Sequence, residues 1–278
     1  MCRHLAYLGP SVALRSVLTD PPFGLYRQSW APRMQDHGTL NADGFGVGWY
    51  ADGDPVPARY RRAVPIWGDP SLPDLARVTR SAAVLAAVRS ATPGTAAGEE
   101  AAAPFGAGPW LFSHNGILEG WRDLAEHGTV QAHGFSLFSL EALVDSAYLW
   151  ALVLARLRAG DRLEAALAGA IAAVESAGGS GRFNFLLTDG RSIAATACGD
   201  SLWYRWRDDD RDRDTAASAL PGLATGGTAA SVVVASEPGD DDPRWTEVPD
   251  RHVLTATASG VSIRPLAALA TTFAPKGS

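Results

Sequence analysis

Two stretches of helical periodicity stand back to back in the middle of this chain, with strand-forming segments on both sides, and that arrangement constrains the fold more than any other feature. Across residues 140–157 apolar side chains recur at helical spacing. Gly160 then marks a stop, and Asp161-Arg162-Leu163-Glu164 opens a second helix with a start like a capping box. Ahead of the pair, residues 2–9 are rich in strand formers, and Pro10-Ser11-Val12-Ala13-Leu14 has the chemistry of a helix start, which predicts a strand followed by a short helix. Residues 44–50 are strand-like but heavy in glycine, so their backbone is expected to pass close to a neighbour, and Asp52-Gly53 signals a hairpin turn. A helix is predicted over 72–78 and a buried strand over 82–88, the latter delivering Arg89-Ser90-Ala91-Thr92-Pro93-Gly94 at its exit. After a loose stretch, 95–108, residues 110–118 predict a strand running into a turn.

Behind the helices strands dominate: 183–188, the turn Asp189-Gly190, 192–197, 201–206, 232–236 and 253–263, with the charged run 207–214 as a solvated loop. Strands, paired helices and antiparallel strands in that order argue for an α+β domain of two sheets and a helical layer. With no fixed-period repeat and no linker, residues 2–278 are expected to form a single domain.

A chain of 278 residues with 46% hydrophobic residues can bury a substantial core. The formal charge is -6, and no basic patch stands out, so nucleic acid and other polyanions are not expected partners. Cys2 and Cys198 are the two cysteines, too sparse for a disulfide scaffold, which points to a reducing cytoplasm. The opening MCRHLAYLGP is too short and too broken for a signal peptide, and no apolar run approaches a membrane span, so no membrane association is expected. Cys198 reads as a small buried hydrophobe. His4 beside Cys2 suggests a metal pair, yet no further Cys/His cluster stands at ligand spacing; no metal and no cofactor are expected.

Cys2 directly follows the initiator Met1, and its side chain is small enough for aminopeptidase removal of Met1. The α-amine then exposed has a pKa of about 7.7 to 8.0, so it can take the thiol proton itself or through a water. Nucleophile and base would share one residue. On its own a cysteine at position 2 is usually incidental, and its neighbours have to carry the case.

Those neighbours are MCRHLAYLG, NADGFGVGWY, VRSATPG, FSHNGIL, VDSAYLWALV, FNFLLTDGRSIAAT and VVVASEPGDDDPRWTEVP. Together, over nearly the whole chain, they resemble the class II glutamine amidotransferases, and within them the stand-alone amidohydrolases of ergothioneine biosynthesis that act on γ-glutamyl-hercynylcysteine sulfoxide. The resemblance implies a four-layer αββα sandwich of the N-terminal-nucleophile (Ntn) hydrolase type, two antiparallel sheets between helical layers, with Met1 removed.

It also implies roles. Cys2 is the nucleophile, while the Asn115 side chain and Gly116 backbone N–H form an oxyanion hole. Arg89 binds the substrate α-carboxylate, for which its planar donor fork is suited. Thr92 places a hydroxyl beside the same carboxylate, and Pro93 stands where many relatives have His. Asp145 faces the α-ammonium, so Arg89 and Asp145 would grip the two ends of the glutamyl zwitterion. Asn41, Asp43 and Gly44 line the site near Cys2. From the residues alone, Asn115-Gly116 is first a hairpin turn, which would present both groups at a strand's end. Arg89 also fits a surface salt bridge and Asp145 a helix-surface acid. His114 fits a core or neighbouring histidine and is left out of the catalytic set.

The implied reaction is hydrolysis of a γ-glutamyl amide through a Cys2 thioester, releasing glutamate and an amine. The partner is then a small γ-glutamyl molecule, and some of the nine tryptophans offer a face for a cationic leaving part. The residues leave a homo-oligomer open. A glutaminase subunit feeding ammonia to a separate synthase is the alternative enzyme; no fused synthase follows, which favours plain hydrolysis. A non-catalytic binding protein on the same scaffold is the third reading.

Overall fold

The structure, a computed structural model, describes residues 2–36, 38, 40–91, 95–126, 140–207, 230–257 and 259–270. Seven strands form one sheet: β1 (Arg3–Ala13), β2 (Phe45–Trp49), β3 (Ala58–Arg62), β4 (Arg80–Val88), β9 (Trp203–Arg207), β10 (Ser231–Ala235) and β11 (Thr246–Glu247), in the order β11-β9-β10-β1-β4-β2-β3. Six form the other: β5 (Phe105–Ala107), β6 (Trp110–Leu118), β7 (Gly181–Thr188), β8 (Ser192–Ala197), β12 (His252–Thr257) and β13 (Gly260–Pro265), in the order β13-β12-β8-β7-β6-β5. Neighbouring strands pair antiparallel throughout.

Strand alternation sorts the apolar side chains into three layers. Leu5 and Tyr7 of β1 pack outward with Leu14, Leu18, Leu25 and Leu72, on or beside the short helices α1 (Arg15–Leu18), α2 (Leu25–Gln28) and α3 (Leu72–Val78). Ala6 and Leu8, one residue out of phase, meet Leu111, Leu186 and Leu254 of the second sheet. On the far side Phe112, Phe185 and Leu187 pack against Leu149, Leu152, Val153, Leu167 and Ile171 of the paired helices α5 (Asp145–Arg158) and α6 (Leu163–Ser176). The result is the expected four-layer αββα sandwich. Helices α4 (Trp121–Glu126) and α7 (Ala267–Ala270) complete the set. Among the described residues no helix is long and apolar enough to cross a membrane.

The glycines of β2 behave as expected: a Cβ at Gly46 would strike the Ala103 carbonyl, and one at Gly48 the Leu111 side chain. Several expectations need correction. No helix starts at Pro10; β1 continues to Ala13, because the register shifts between Leu8 and Val12 and then resumes as Val12 meets Ser81, so the proline falls in the irregularity. Residues 253–263 are two strands, β12 and β13, folded back on each other. The first long helix begins at Asp145 rather than at 140. Asp161 does not cap the second; it pairs with Arg156 at 2.8 Å. Most of the charged run 207–214 lies outside the described residues, Arg207 closing β9.

The Asn115-Gly116 turn is also absent. Both residues lie inside β6, Asn115 opposite Asn184 and Gly116 opposite Phe183. The sequence signal for a turn came from glycine's freedom, and the strand uses it otherwise: Gly116 has φ +152°, and a Cβ there would run into the Arg182 carbonyl of β7.

Candidate active site

Cys2 leads into β1, whose pairing with β4 sets Arg3 opposite Val88 and so brings Cys2 to the strand exit that carries Arg89. The two residues share one cavity with His114 and Gly116 of β6 and with Asp145 and Ser146 at the start of α5. Cys2 is partly buried. Burial pushes its thiol above the ordinary value; the chain's N-terminal charge, a backbone hydrogen bond from Ser90 and the Arg89 cation work the other way, and Asp145 adds to the rise.

Arg89 is 7% exposed, which excludes a surface ion pair. Its amide donates to the Gly44 carbonyl at 2.8 Å and its carbonyl accepts from the Asp43 amide at 2.9 Å, so the loop before β2 fixes its backbone. The guanidinium donates to the Ala96 carbonyl at 2.7 Å and to the Thr95 hydroxyl at 3.2 Å. Among the described residues no carboxylate pairs with it. A buried cation partnered only by neutral oxygens is disposed to take up an arriving carboxylate.

Asp145 is the first residue of α5. Its Oδ2 accepts from the Leu118 amide at 2.9 Å and its Oδ1 from the Ser146 amide at 2.7 Å, contacts that hold an anion at a helix N-terminus. Among the described residues no Arg or Lys pairs with it. The cavity therefore holds one cation and one anion on separate elements, neither neutralised by an oppositely charged side chain. That arrangement suits a zwitterion.

The remaining expected site residues are placed as follows. Asn115 is wholly buried and does not line the cavity; its Nδ2 makes a long 3.5 Å contact to Ser236 Oγ, and its Oδ1 has no partner among the described residues. Asp43 accepts from the Ala91 amide at 2.8 Å, and with Gly44 it braces the Arg89 segment without lining the cavity. Asn41 is buried, tied to the Gln28 carbonyl at 3.0 Å. Thr92 and Pro93 lie outside the described residues, while Thr95 supplies a hydroxyl beside Arg89. Ser146 was not singled out in the sequence, although a serine directly after an acid at a helix start was the signal for it. Among the described residues no group of three or more His, Cys, Asp or Glu side chains is placed to hold a metal ion.

Residues 15–268 match the family described as glutamine amidotransferases class-II. The chain belongs to the class-II glutamine amidotransferases. It is 40% identical over 266 residues to the gamma-glutamyl-hercynylcysteine sulfoxide hydrolase of Mycolicibacterium smegmatis, covering 96% of this chain and 100% of that one. A glutamine aminotransferase class-II domain protein from Silicibacter pomeroyi superposes with a TM-score of 0.64 at 25% identity, covering 95% of this chain and 99% of that one. The glutamine phosphoribosylpyrophosphate amidotransferase of B. subtilis matches with a TM-score of 0.59 at 17% identity over 95% of this chain and 49% of its own, a likeness of fold. This class-II amidotransferase thus has the family's sandwich, and one cavity in it is lined by Cys2, Arg89, Gly116 and Asp145.

Proposed function

We propose that this chain hydrolyses a γ-glutamyl amide, and that its substrate is γ-glutamyl-hercynylcysteine sulfoxide, cleaved to glutamate and hercynylcysteine sulfoxide in ergothioneine biosynthesis. The observation that carries the reading is the one cavity in which Cys2 stands with Arg89 and Asp145, neither of which has an oppositely charged partner among the described residues. The resemblance to the mycobacterial hydrolase over the full length supports the narrower substrate.

In the proposed mechanism Arg89 takes the α-carboxylate and Asp145 the α-ammonium, which selects glutamyl over neutral amides. Met1 is removed, and the freed Cys2 amine accepts the thiol proton. The sulfur attacks the γ-carbonyl carbon, and the carbonyl oxygen takes up negative charge opposite the Gly116 N–H and the Asn115 Nδ2, which has to turn from its long contact with Ser236 to reach it. As the tetrahedral centre collapses the C–N bond breaks, and the proton held on the Cys2 amine passes to the leaving nitrogen. Water then attacks the thioester, returning the thiol and releasing glutamate. A nucleophilic thiol requires reducing surroundings, consistent with placing the protein in the cytoplasm.

Purified protein incubated with γ-glutamyl-hercynylcysteine sulfoxide, glutamine and glutathione side by side, with glutamate scored from each, tests the assignment. The sulfoxide is expected to lead. Ammonia from glutamine as the principal product would support instead a glutaminase subunit serving a synthase. Cys2→Ala is expected to lose turnover to background, and a mass increment of glutamyl size is expected on Cys2 of the wild type. Undiminished turnover in Cys2→Ala, or Met1 retained on an active protein, would remove the mechanism.

A further inference from the structure

On the helix side of β6 the His114 ring joins two groups that the mechanism above leaves unused. Its Nε2 lies 2.9 Å from the Arg182 carbonyl oxygen, which can only accept, so Nε2 carries the ring proton. Burial pushes His114 below the ordinary imidazole value, with the neighbouring Asp145 charge acting in the opposite direction, so the ring is neutral near pH 7. Nδ1 is then an acceptor. It stands 3.0 Å from Ser146 Oγ.

A serine hydroxyl has one proton to give. Two acceptors are in reach, His114 Nδ1 at 3.0 Å and Asp145 Oδ1 at 3.3 Å, and Oδ1 already receives the Ser146 amide at 2.7 Å. The shorter contact to an acceptor with no other donor takes the proton. Ser146 Oγ is left with its lone pairs beside Asp145 Oδ1, two acceptors 3.3 Å apart on the wall of the cavity that holds Cys2.

We propose that Ser146 is a second acceptor for the substrate's α-ammonium, alongside Asp145, and that His114 is the positioning residue that turns its hydroxyl to accept. The inference rests on the reading that Asp145 receives that ammonium. Without the ring, the hydroxyl proton would turn to Asp145, occupy Oδ1, and compete with the substrate. The glycine at 116 belongs to the same device, since a Cβ there would press on both the Arg182 carbonyl and His114 Nε2.

The test compares kcat/KM for γ-glutamyl-hercynylcysteine sulfoxide with that for its glutaryl counterpart, which lacks only the α-amine. Ser146→Ala is expected to lower the glutamyl preference by about tenfold, the scale of a hydrogen bond to a charged group. The change should come through KM, with kcat and the glutaryl substrate little altered. His114→Phe should lower the preference as well, and the double variant no further than Ser146→Ala alone, because both act on one contact. Ser146→Thr, which keeps the hydroxyl, should retain the preference. If Asp145→Asn loses the preference while Ser146→Ala keeps it, the inference falls and the reading of Asp145 stands. If neither variant changes it, the α-ammonium is bound elsewhere and both fall. Should His114→Phe fail to fold, the Ser146→Ala and Ser146→Thr pair decides the matter.

Discussion

The two faces of β6 differ in what they do with their polar residues. Ser113 and Asn115 face the first sheet, where Ser113 Oγ meets His4 Nδ1 at 3.1 Å and Asn115 Nδ2 approaches Ser236 Oγ at 3.5 Å, all four side chains being wholly buried. His114 and Gly116 face α5 and the cavity. On the helix face the imidazole has partners at both nitrogens, whereas on the sheet face His4 Nε2 and Asn115 Oδ1 have none among the described residues. A strand's period of two lets one four-residue segment serve as a strut between sheets and as a wall of the site. The more fully bonded face is the one that opens to the substrate. Preorganised polar groups are an advantage where charge is to be recognised.

The harshest way to break this comparison is to give the cavity face a side chain where it has none. Gly116→Ala places a Cβ against the Arg182 carbonyl at a φ of +152°. Strain and overpacking together are expected to lower stability by about 3 kcal/mol, read from urea unfolding. A variant as stable as the wild type would show that β6 and β7 can separate there without loss, and that the cavity face is not tightly built.

A sharper division of the two faces comes from neighbours on the strut side. With Asn115 Nδ2 in only a long contact, the proposed mechanism assigns that donor to the oxyanion, and Asn115→Ala is expected to lower kcat by about 10²–10³-fold. Ser113→Ala removes the bond to His4 and is expected to cost about 1 kcal/mol of stability while leaving kcat near its original value. Equal losses of kcat in the two would mean that the strut as a whole, and not the Asn115 donor, supports turnover.

Much of this division was legible in the sequence, and the part that was not has a physical reason. The 110–118 strand and the 72–78 helix coincide with β6 and α3, because each carries a pattern that one period explains. Arg89 and Asp145 were reached through the family resemblance, since from the residues alone a surface salt bridge and a helix-surface acid also fitted them, and the cavity brings them together with Cys2. Asn115-Gly116 was misread because a dipeptide favouring tight turns also serves in a strand that must admit another backbone, and local chemistry does not distinguish the two. Pro10 misled for a similar reason, since β4 pairing outweighed a helix start. Ser146 offered only its place directly after an acid at a helix start; its meaning depends on a ring thirty-two residues away that only the sandwich brings within 3.0 Å.

The smallest expected effect concerns acid and sets both faces against each other. His4 is held well below the ordinary imidazole value by burial, with the His114 and Arg3 charges adding to the fall, and His114 is lowered chiefly by burial. A group whose folded pKa is depressed binds its proton more readily in the unfolded chain, so its contribution to stability is present above the unfolded value and is lost as pH falls through the folded one. Unfolding free energy should therefore be level above about pH 7 and decline below about pH 6.5, where an unfolded histidine begins to charge. The larger depression is on the strut side, where His4 Nε2 has no acceptor to stabilise a second ring proton; on the cavity side Asp145 moderates the fall at His114. His4→Gln should accordingly flatten the acid slope more than His114→Gln does, whatever either change does to stability at neutral pH. An acid slope unaffected by His4→Gln would place the proton uptake elsewhere and remove the distinction between the two faces.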